Sequence, residues 1–326
     1  MKVLLNCAES TWPTRPAPGV DPLMTRLVDR PFIQHVVESL VQAGFHQIDV
    51  LLDSPRFALV RLLEDGTRWG VRIRIRRIPA TGALPLGILA EETGLDAGLL
   101  LARGDCLPVT DFAACRPAPR ADNPTAYFAA AANGSGVLRW TGWAWLTRAS
   151  LKGTSRLDSA ASWQRRMQTW ATARGCEAVV PQVLSVRSSG DLLQAQRVLL
   201  AGEVPGLQID GREVEPGVWL ARGASIAATT QVHGPVYVGE HAVVRASDLG
   251  PFAVVGDGAV VSPETTVTNA VVGARTYVGP HLELRDVVVR GRQLFHAGLD
   301  EAVEIHDDSW LQDLDSEATA GARVRG

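Results

Sequence analysis

Three arginines at alternate positions form the first pattern that could do chemistry. Arg72, Arg74 and Arg76 alternate with apolar residues at positions 71, 73 and 75. Guanidinium groups bind phosphate well, so a row of them could form a phosphate-binding patch. The alternation is also typical of a strand with one solvent-facing side, and edge strands often carry such charges. We favour the solvated edge strand over the phosphate patch.

Tryptophans and cysteines offer two further kinds of site. Trp143 and Trp145 alternate within a predicted strand, and Trp140 is the third tryptophan of this group. Their rings could stack on a base or a sugar, although packing in a core is the favoured interpretation. The four cysteines form no CxxC pair and are scattered along the chain: Cys7, Cys106, Cys115 and Cys176. They predict reduced core thiols in a cytoplasmic protein rather than a zinc site or a disulfide framework.

Length and charge narrow the class of protein. The chain has 326 residues, of which 46% are apolar and 21% charged, and its net charge is −3. This length allows two domains. A nucleic-acid partner is not expected, because such proteins normally show a basic excess. We expect neither a signal peptide nor a membrane span, since the apolar run at residues 3–5 is too short and no other run is long enough.

The first part of the chain alternates strands and helices. Residues 2–5 predict a buried strand, and the prolines of 9–22 predict a loop. Asp29 then predicts the cap of a helix that ends at Gly44 and has one apolar stripe: Phe32, Ile33, Val36, Val37, Leu40 and Val41. A strand at 48–52 completes a βαβ unit, which requires a parallel sheet. Further strands are predicted at 71–76 and 99–102, and a closing helix at 191–200.

Residues 218–289 repeat an aliphatic side chain at nearly every sixth position. The repeat positions, with two five-residue steps, are Leu220, Ile226, Val232, Val238, Val244, Leu249, Val255, Val261, Val267, Val272, Val278 and Leu284. A fixed period of this kind indicates a solenoid. Three hexads make one coil of a left-handed parallel β-helix whose aliphatic residues point inward. We expect about four coils.

These patterns predict four regions. A Rossmann-like α/β domain with a mostly parallel sheet covers 1–202, a linker 203–217, the left-handed β-helix 218–290 and an acidic tail 291–326. In the tail, Trp310, Leu311 and Leu314 predict a short docking helix that caps one end of the β-helix. A short solenoid exposes its ends and faces, so we expect a homo-oligomer or a complex.

Five phrases of the sequence match, in order, the motifs of one enzyme family. They are V-D-R-P-F-I-Q-H-V at 28–36, A-G-F-H-Q-I at 43–48, the strand and G-D at 99–105, S-S-G-D-L-L-Q-A-Q at 188–196 and V-T-N-A-V-V-G at 267–273. No single phrase is specific to the family, but their order and spacing are. Together the phrases cover nearly the whole chain. In these phrases the chain resembles the sugar-phosphate nucleotidyltransferases, which include mannose-1-phosphate guanylyltransferases and glucose-1-phosphate adenylyl- and thymidylyltransferases.

The resemblance implies a reaction and a set of site residues. In that family a sugar-1-phosphate attacks the α-phosphate of a nucleoside triphosphate and expels pyrophosphate, with Mg²⁺ held by two carboxylates. Asp105 matches the first metal ligand, and Ser185 stands at the second position. The residues that would bind nucleotide are Thr14, Arg15, Gly87 and Gly104, and the remnant catalytic candidates are Arg15 and Asp105. A strand-end Asp that caps a loop is an equally good interpretation of Asp105, and a surface arginine is the favoured one for Arg15.

Several departures from the family pattern predict lost catalysis. The loop after the first strand, N-C-A-E-S-T-W-P-T-R-P at 6–16, lacks the family's glycines, Glu9 has the wrong charge for a phosphate, and Asp21 replaces a lysine. Residues 111–140 contain no Glu or Lys for a sugar contact. The resemblance then implies a regulatory, scaffolding or nucleotide-sugar-sensing subunit, bound to an active paralogue or to itself.

Two alternatives stay open. One is an active nucleotidyltransferase, which would need Mg²⁺ and bind a nucleotide and a sugar phosphate. The other is a hexapeptide acyltransferase with a β-helix histidine as general base, for which the candidates are His233, His241 and His281. Positions at corners or on the surface are the favoured interpretation of these histidines, because no long extra loop interrupts the repeat to hold an acyl donor.

Overall fold

The chain forms two compact units. The computed structural model describes residues 2–12, 16–17, 20–80, 83–84, 99–112, 125–130, 138–147, 158–159, 162, 165–169, 177–299 and 302–315. One unit comprises Met1–Thr25 and Pro31–Ser185, and the other Arg26–Arg30 and Val186–Gly326. By its contacts, the predicted closing helix therefore lies in the second unit, whereas the sequence placed it in the first.

A seven-stranded sheet forms the first unit. Its strands are β1 (Lys2–Asn6), β2 (Gln47–Leu52), β3 (Arg72–Arg77), β4 (Leu99–Arg103), β5 (Thr125–Ala130), β6 (Leu138–Leu146) and β7 (Glu177–Val179). Their order across the sheet is β7-β5-β6-β4-β1-β2-β3. The run β4-β1-β2-β3 is parallel, and β6 is antiparallel to both of its neighbours. The predicted mostly parallel α/β sheet is confirmed.

Helix α1 (Phe32–Gln42) connects β1 to β2 and buries the predicted apolar stripe, all of whose members except Val41 are buried. Gly44 follows the helix at φ +83°, a conformation that glycine adopts without strain. The N-cap position is Pro31, and no side chain caps the helix. The predicted cap by Asp29 is therefore wrong.

The carboxylate of Asp29 is used within the second unit instead. Asp29 is buried, and its Oδ2 accepts hydrogen bonds from the Arg30 guanidinium and from the backbone N–H of Asp210, the latter at 2.7 Å. Arg30 also donates to the backbone oxygen of Gln208 at 3.0 Å. These bonds join the short segment Arg26–Arg30 to residues that come much later in the chain.

The alternating arginines lie on β3, at one edge of the sheet. Arg72 and Arg74 are exposed, while Arg76 Nε contacts the buried carboxylate of Asp49 at 2.8 Å, as does Lys2 Nζ. The solvated edge strand is thus the correct interpretation for the first two arginines.

The predicted tryptophan strand is β6, and its two inner rings belong to the core. Trp143 is fully buried and stacks on Phe112 with ring centroids 4.7 Å apart. Trp145 is also buried and lies 5.5 Å from Phe45. Neither ring is available as a stacking platform for a ligand.

The remaining described elements of this part of the chain are short. Helix α2 spans Phe57–Leu63, and 3-10 helices span Glu9–Thr11 and Thr67–Trp69. Three two-stranded pairs join Ala83–Leu84 to Asp158–Ser159, Cys106–Pro108 to Val183–Ser185, and Arg26–Leu27 to Arg30–Pro31. The pair formed by Cys106–Pro108 follows β4 directly and fixes the turn at Gly104 and Asp105.

The second unit is a parallel β-helix with three sheets, preceded by helix α3 (Ser189–Leu200). The first sheet contains Arg212–Glu215, Val218–Leu220, Val236–Val238, Ala253–Val255, Val271–Val272, Val287–Arg290, Gln293–His296 and Ala302–Glu304. The second contains Ser225–Ile226, Val243–Val244, Val260–Val261, Thr276–Val278 and Leu311–Asp313. The third contains Gln231–Val232, Asp248–Leu249, Thr266–Thr268 and Glu283–Arg285. The predicted β-helix is confirmed.

Every predicted repeat position packs in or against the core of this β-helix. The positions from Val238 onward are buried, whereas Leu220, Ile226 and Val232 in the first coil are only partly buried. The two five-residue steps, Val244 to Leu249 and Val267 to Val272, fall where the chain passes from one sheet to the next. A corner that is one residue shorter therefore still leaves the next aliphatic side chain pointing inward.

The tail folds back onto the β-helix as a strand. Leu311–Asp313 pairs antiparallel with Thr276–Val278, and Leu311 is buried in the core. The predicted docking helix is wrong at Leu311, because the free edge of the last strand of the second sheet accepts a strand. In the part of the chain that the structure describes, no helix is long and apolar enough to cross a membrane.

Candidate functional site

The candidate site lies at the carboxyl ends of β1 and β4. From β1 the chain moves to β2 and β3 on one side, and then returns to β4 on the other side of β1. In open α/β sheets, the crevice at such a reversal is where ligands usually bind. The loop after β1 and the turn Gly104–Asp105 after β4 meet at this place.

The loop after β1 is held closed by hydrogen bonds to side chains. Asn6 Nδ2 donates to Thr11 Oγ1 at 2.8 Å, and Asn6 Oδ1 accepts from the backbone N–H of Ala8 at 3.2 Å. The backbone N–H of Ser10 donates to Asp53 Oδ2 at 2.7 Å. Trp12 is buried directly after this turn. Two N–H groups that an open loop could offer to a phosphate are thus already bonded.

Arg56 brings two carboxylates together at the same loop. Its guanidinium forms ion pairs with Glu9 and, at 3.0 Å, with Asp21. Burial acts to lower the pKa of Arg56, but the hydrogen bonds and charges of Glu9 and Asp21 outweigh it and raise the pKa above its ordinary value. The guanidinium is therefore charged, and Glu9 and Asp21 already supply its counter-charges.

Gly104 serves close packing in this crevice. A Cβ atom at this position would lie 2.6 Å from Cys7 Sγ and 3.0 Å from Leu23 Cδ2. Burial raises the pKa of the Cys7 thiol well above its ordinary value, so the thiol is neutral. The close approach is to protein atoms, and the predicted nucleotide contact at Gly104 stays a prediction.

Asp105 has both carboxylate oxygens engaged by one arginine. Arg103 Nε donates to Oδ1 at 2.7 Å, and Arg103 Nη2 donates to Oδ2 at 2.9 Å. Asp105 is fully buried. The aliphatic part of Arg103 crosses Gly142, where a Cβ would meet Arg103 Cδ at 2.2 Å. A bidentate pair of this kind is a strong, geometrically specific contact.

These residues do not fit a Mg²⁺ ion. A bound cation would have to compete with the guanidinium for both oxygens of Asp105. The second ligand position, Ser185, offers only a hydroxyl, whose Oγ donates to the backbone oxygen of Asp105 at 3.5 Å. Among the described residues, no group of three or more His, Cys, Asp or Glu side chains could hold a metal.

The sequence-predicted site residues divide into three groups. Asp105, Gly104 and Ser185 lie together at the end of β4. Thr14, Arg15 and Gly87 lie outside the described residues. The three β-helix histidines, His233, His241 and His281, are exposed, and His281 Nδ1 lies 3.0 Å from Glu264 Oε2.

Two arginines of the site were missed by sequence reasoning. The sequence could have indicated the pairing of Arg103 with Asp105, because the arginine stands two positions before this carboxylate at a strand end, where one turn can bring the two together. No local sequence pattern could have indicated the contacts of Arg56, since its partners lie 47 and 35 positions earlier in the chain.

No protein-family model and no curated protein matches this chain. Among solved structures, the chain is similar to a putative glucose-1-phosphate thymidylyltransferase from Bacillus anthracis in complex with a sucrose. The TM-score is 0.49 and the sequence identity 14%, over 60% of this chain and 94% of that one.

Proposed function

We propose that this chain is a cytoplasmic, nucleotidyltransferase-like protein that has lost catalysis and serves sugar-nucleotide or polysaccharide-precursor metabolism as a regulatory, scaffolding or nucleotide-sugar-sensing subunit. The observation that carries the proposal is the bidentate pairing of buried Asp105 with Arg103. It converts the carboxylate that would hold a catalytic metal into part of a structural ion pair.

The charge of the crevice supports the same conclusion. Phosphoryl and nucleotidyl transfer depend on cations and N–H donors that neutralise a polyphosphate. Here Glu9 and Asp21 bring two negative charges to one guanidinium, which leaves an excess of negative charge. A triphosphate at this place would meet repulsion and bonded N–H groups.

The test of lost catalysis is pyrophosphate release. We expect no release above background when the full-length protein is incubated with each common nucleoside triphosphate, Mg²⁺ and a panel of hexose-1-phosphates. Robust turnover that Asp105→Asn abolishes, with the variant folded by thermal melting, would establish the active nucleotidyltransferase instead.

The scaffolding role is supported by the outward faces of the β-helix. On the first sheet, Tyr237, Val254 and Val288 are buried, and α3 is bonded there through Gln196 Nε2 and the backbone oxygen of Phe252 at 2.8 Å. The third sheet turns polar side chains outward: Gln231, Asp248, Thr266 and Glu283.

The second sheet differs from both. Val243, Val260 and Tyr277 are register partners in successive coils and form an outward apolar ladder that is half-buried in the chain alone. Flat apolar ladders of this kind suit contact with another protein surface. We assign this ladder as the contact between two copies of the chain, and an active paralogue is the other partner to test.

Light scattering on the full-length protein tests this contact. We expect a dimer or larger assembly that Val260→Lys shifts to monomer. Thr266→Lys is the matched control, because it places the same charge on the polar third sheet, and it should leave the assembly intact. If the unchanged protein is a monomer and no paralogue co-purifies with it from its source, the scaffolding role fails while the loss of catalysis can still hold.

A further inference from the structure

The edge strand β3 carries an excess of positive charge on one face of the sheet. Arg72, Arg74 and Arg76 alternate along this strand, and the register places Asp49 of β2 directly beside Arg74. The buried carboxylate of Asp49 contacts Lys2 Nζ and Arg76 Nε, each at 2.8 Å. Arg72 and Arg74 are exposed, and neither pairs with an acid among the described residues. Their positive charges are therefore available to another molecule.

The segment that follows the last coil of the β-helix has the opposite charge and an exposed aromatic ring. Val303 is 52% and Trp310 53% exposed, and Glu304 and Asp307 are exposed as well. Asp307 Oδ1 accepts from the Ser309 hydroxyl at 2.6 Å and from the Ser309 backbone N–H at 2.9 Å, and these bonds lower the pKa of the Asp307 carboxyl. We call Val303, Glu304, Asp307 and Trp310 the acidic end patch.

The carboxylates of this patch have no basic partner within the chain. Asp308, next to the patch, pairs with Arg292. Glu304 and Asp307 differ from it, because no lysine, arginine or histidine side chain pairs with either of them in the part of the chain that the structure describes. Two negative charges and the exposed ring of Trp310 thus face solvent together.

The two surfaces are complementary in charge and in chemistry. A guanidinium donates to carboxylate oxygens and also stacks on the face of an aromatic ring, with tryptophan the best partner. Arg72 and Arg74 could take Glu304 and Asp307 as counter-ions and Trp310 as a stacking surface. Two β3 faces would repel each other, as would two acidic end patches, so only the unlike pair is favourable.

We propose that the acidic end patch of one copy of the chain docks on Arg72 and Arg74 of another copy. The inference goes beyond the proposed function, because this contact is separate from the apolar ladder that contains Val260. Each copy carries both surfaces, so the contact is heterologous and either closes a ring or continues as an open chain. Exposed ion pairs are weak, and we expect this association only at high protein concentration and low salt.

Sedimentation velocity at increasing protein concentration tests the contact. Each full-length protein carries Val260→Lys, which removes the ladder contact, so that the two contacts are measured separately. We expect this protein to self-associate at about 0.1 M salt. The association constant should fall at least about tenfold at about 1 M salt, where the Debye length decreases from about 10 Å to about 3 Å.

An exchange of charges distinguishes this pair of surfaces from a general charge effect. Arg72→Glu/Arg74→Glu should abolish self-association, because the altered β3 face repels the acidic end patch. Glu304→Arg/Asp307→Asn should do the same, and it retains the oxygen that Ser309 uses. An equimolar mixture of the two variants should associate again, since the reversed face of one meets the reversed patch of the other.

Arg61→Glu/Arg139→Glu is the matched control. It makes the same change of charge at two other exposed arginines of the first unit and should leave self-association unchanged. Trp310→Ala leaves every charge in place and should weaken the association without abolishing it, because the stacking surface is lost.

The proposal is overturned if the Val260→Lys protein stays a monomer at about 0.1 M salt, if the matched control abolishes association, or if the mixture of reversed variants fails to associate. Thermal melting checks that each variant is folded. Should a double variant not fold, Arg74→Glu and Glu304→Arg replace the two reversals, and the same outcomes apply. Light scattering on the unchanged protein at high salt decides the ladder contact separately.

Discussion

The β-helix and the crevice at the ends of β1 and β4 use their residues in opposite ways. In the β-helix, each inward position is one of many equivalent aliphatic residues, and a neighbour of the same kind lies one coil away. In the crevice, each polar residue has a specific partner that nothing else replaces: Asp105 with Arg103, and Arg56 with Glu9 and Asp21. The packing of the β-helix is thus shared by many residues, whereas each ion pair of the crevice depends on two or three.

The comparison predicts where the protein is most sensitive to a single change. Removal of a charge from a buried ion pair leaves the other charge without compensation. Truncation of an aliphatic residue in a solenoid leaves a cavity whose cost depends on how completely that coil was packed.

Asp105→Ala should lower the free energy of unfolding by about 3–5 kcal/mol, because Arg103 would remain buried without its partner. Urea titration followed by fluorescence measures the change. The combined variant Arg103→Met/Asp105→Leu removes both charges and should recover most of the loss. Equal destabilisation by Asp105→Ala and by the pair would show that the ion pair is not what the crevice depends on.

Within the β-helix, Leu249→Ala should lower the free energy of unfolding by about 2–5 kcal/mol, since Leu249 is fully buried. Leu220→Ala is the same chemical change in the first coil, where the side chain is only partly buried, and should cost less than about 2 kcal/mol. Urea titrations of both variants check the order. A reversed order would mean that the first coil is as tightly packed as the interior coils.

The smallest effect concerns Asp53, which binds the loop after β1. Partial burial acts to raise the pKa of Asp53, but hydrogen bonds from Ser10 and Ser54 outweigh it and lower the pKa below its ordinary value of 3.8. A lowered pKa in the folded state gives stability that is present above pH 3.8 and lost as the pH falls through the folded pKa.

Asp53→Asn should therefore flatten the loss of stability on acidification below pH 3.8, by less than about 1 kcal/mol because solvent screens this half-exposed group. Urea titrations at pH 5 and at pH 3 measure the slope. If the variant retains the slope of the unchanged protein, the Ser10 contact contributes nothing to acid stability.

The difference between the two regions also explains what could be predicted from sequence. The aliphatic period located twelve positions that all pack in or against the core of the β-helix, because the same pattern recurs in every coil. The stripe on α1 was located for the same reason. The role of Asp29 was predicted wrongly, since its partner Asp210 lies 181 positions away and no local sequence pattern indicates such a contact.

Even less of the crevice could be predicted from the sequence, because its contacts join distant parts of the chain. The departures from the family pattern at Glu9, Asp21 and Ser185 were visible in the sequence, and they indicated which groups were missing. They did not indicate what replaced them, because Arg56 and Arg103 act through tertiary contacts. The apolar residues Trp310, Leu311 and Leu314 suggested a helix in the acidic tail, but the open edge of Thr276–Val278 pairs with Leu311–Asp313 as a strand.

The segment Arg26–Arg30 has a consequence for biosynthesis. These residues are synthesised before the rest of the second unit, in which Arg26 contacts Asp257 at 2.8 Å. Asp257 is added about 230 positions later, which at 5–20 residues per second is a delay of roughly 10–50 s. During that time the nascent chain carries Asp29 and two arginines without their final partners. The second unit therefore cannot be completed until this early segment meets residues that are synthesised much later.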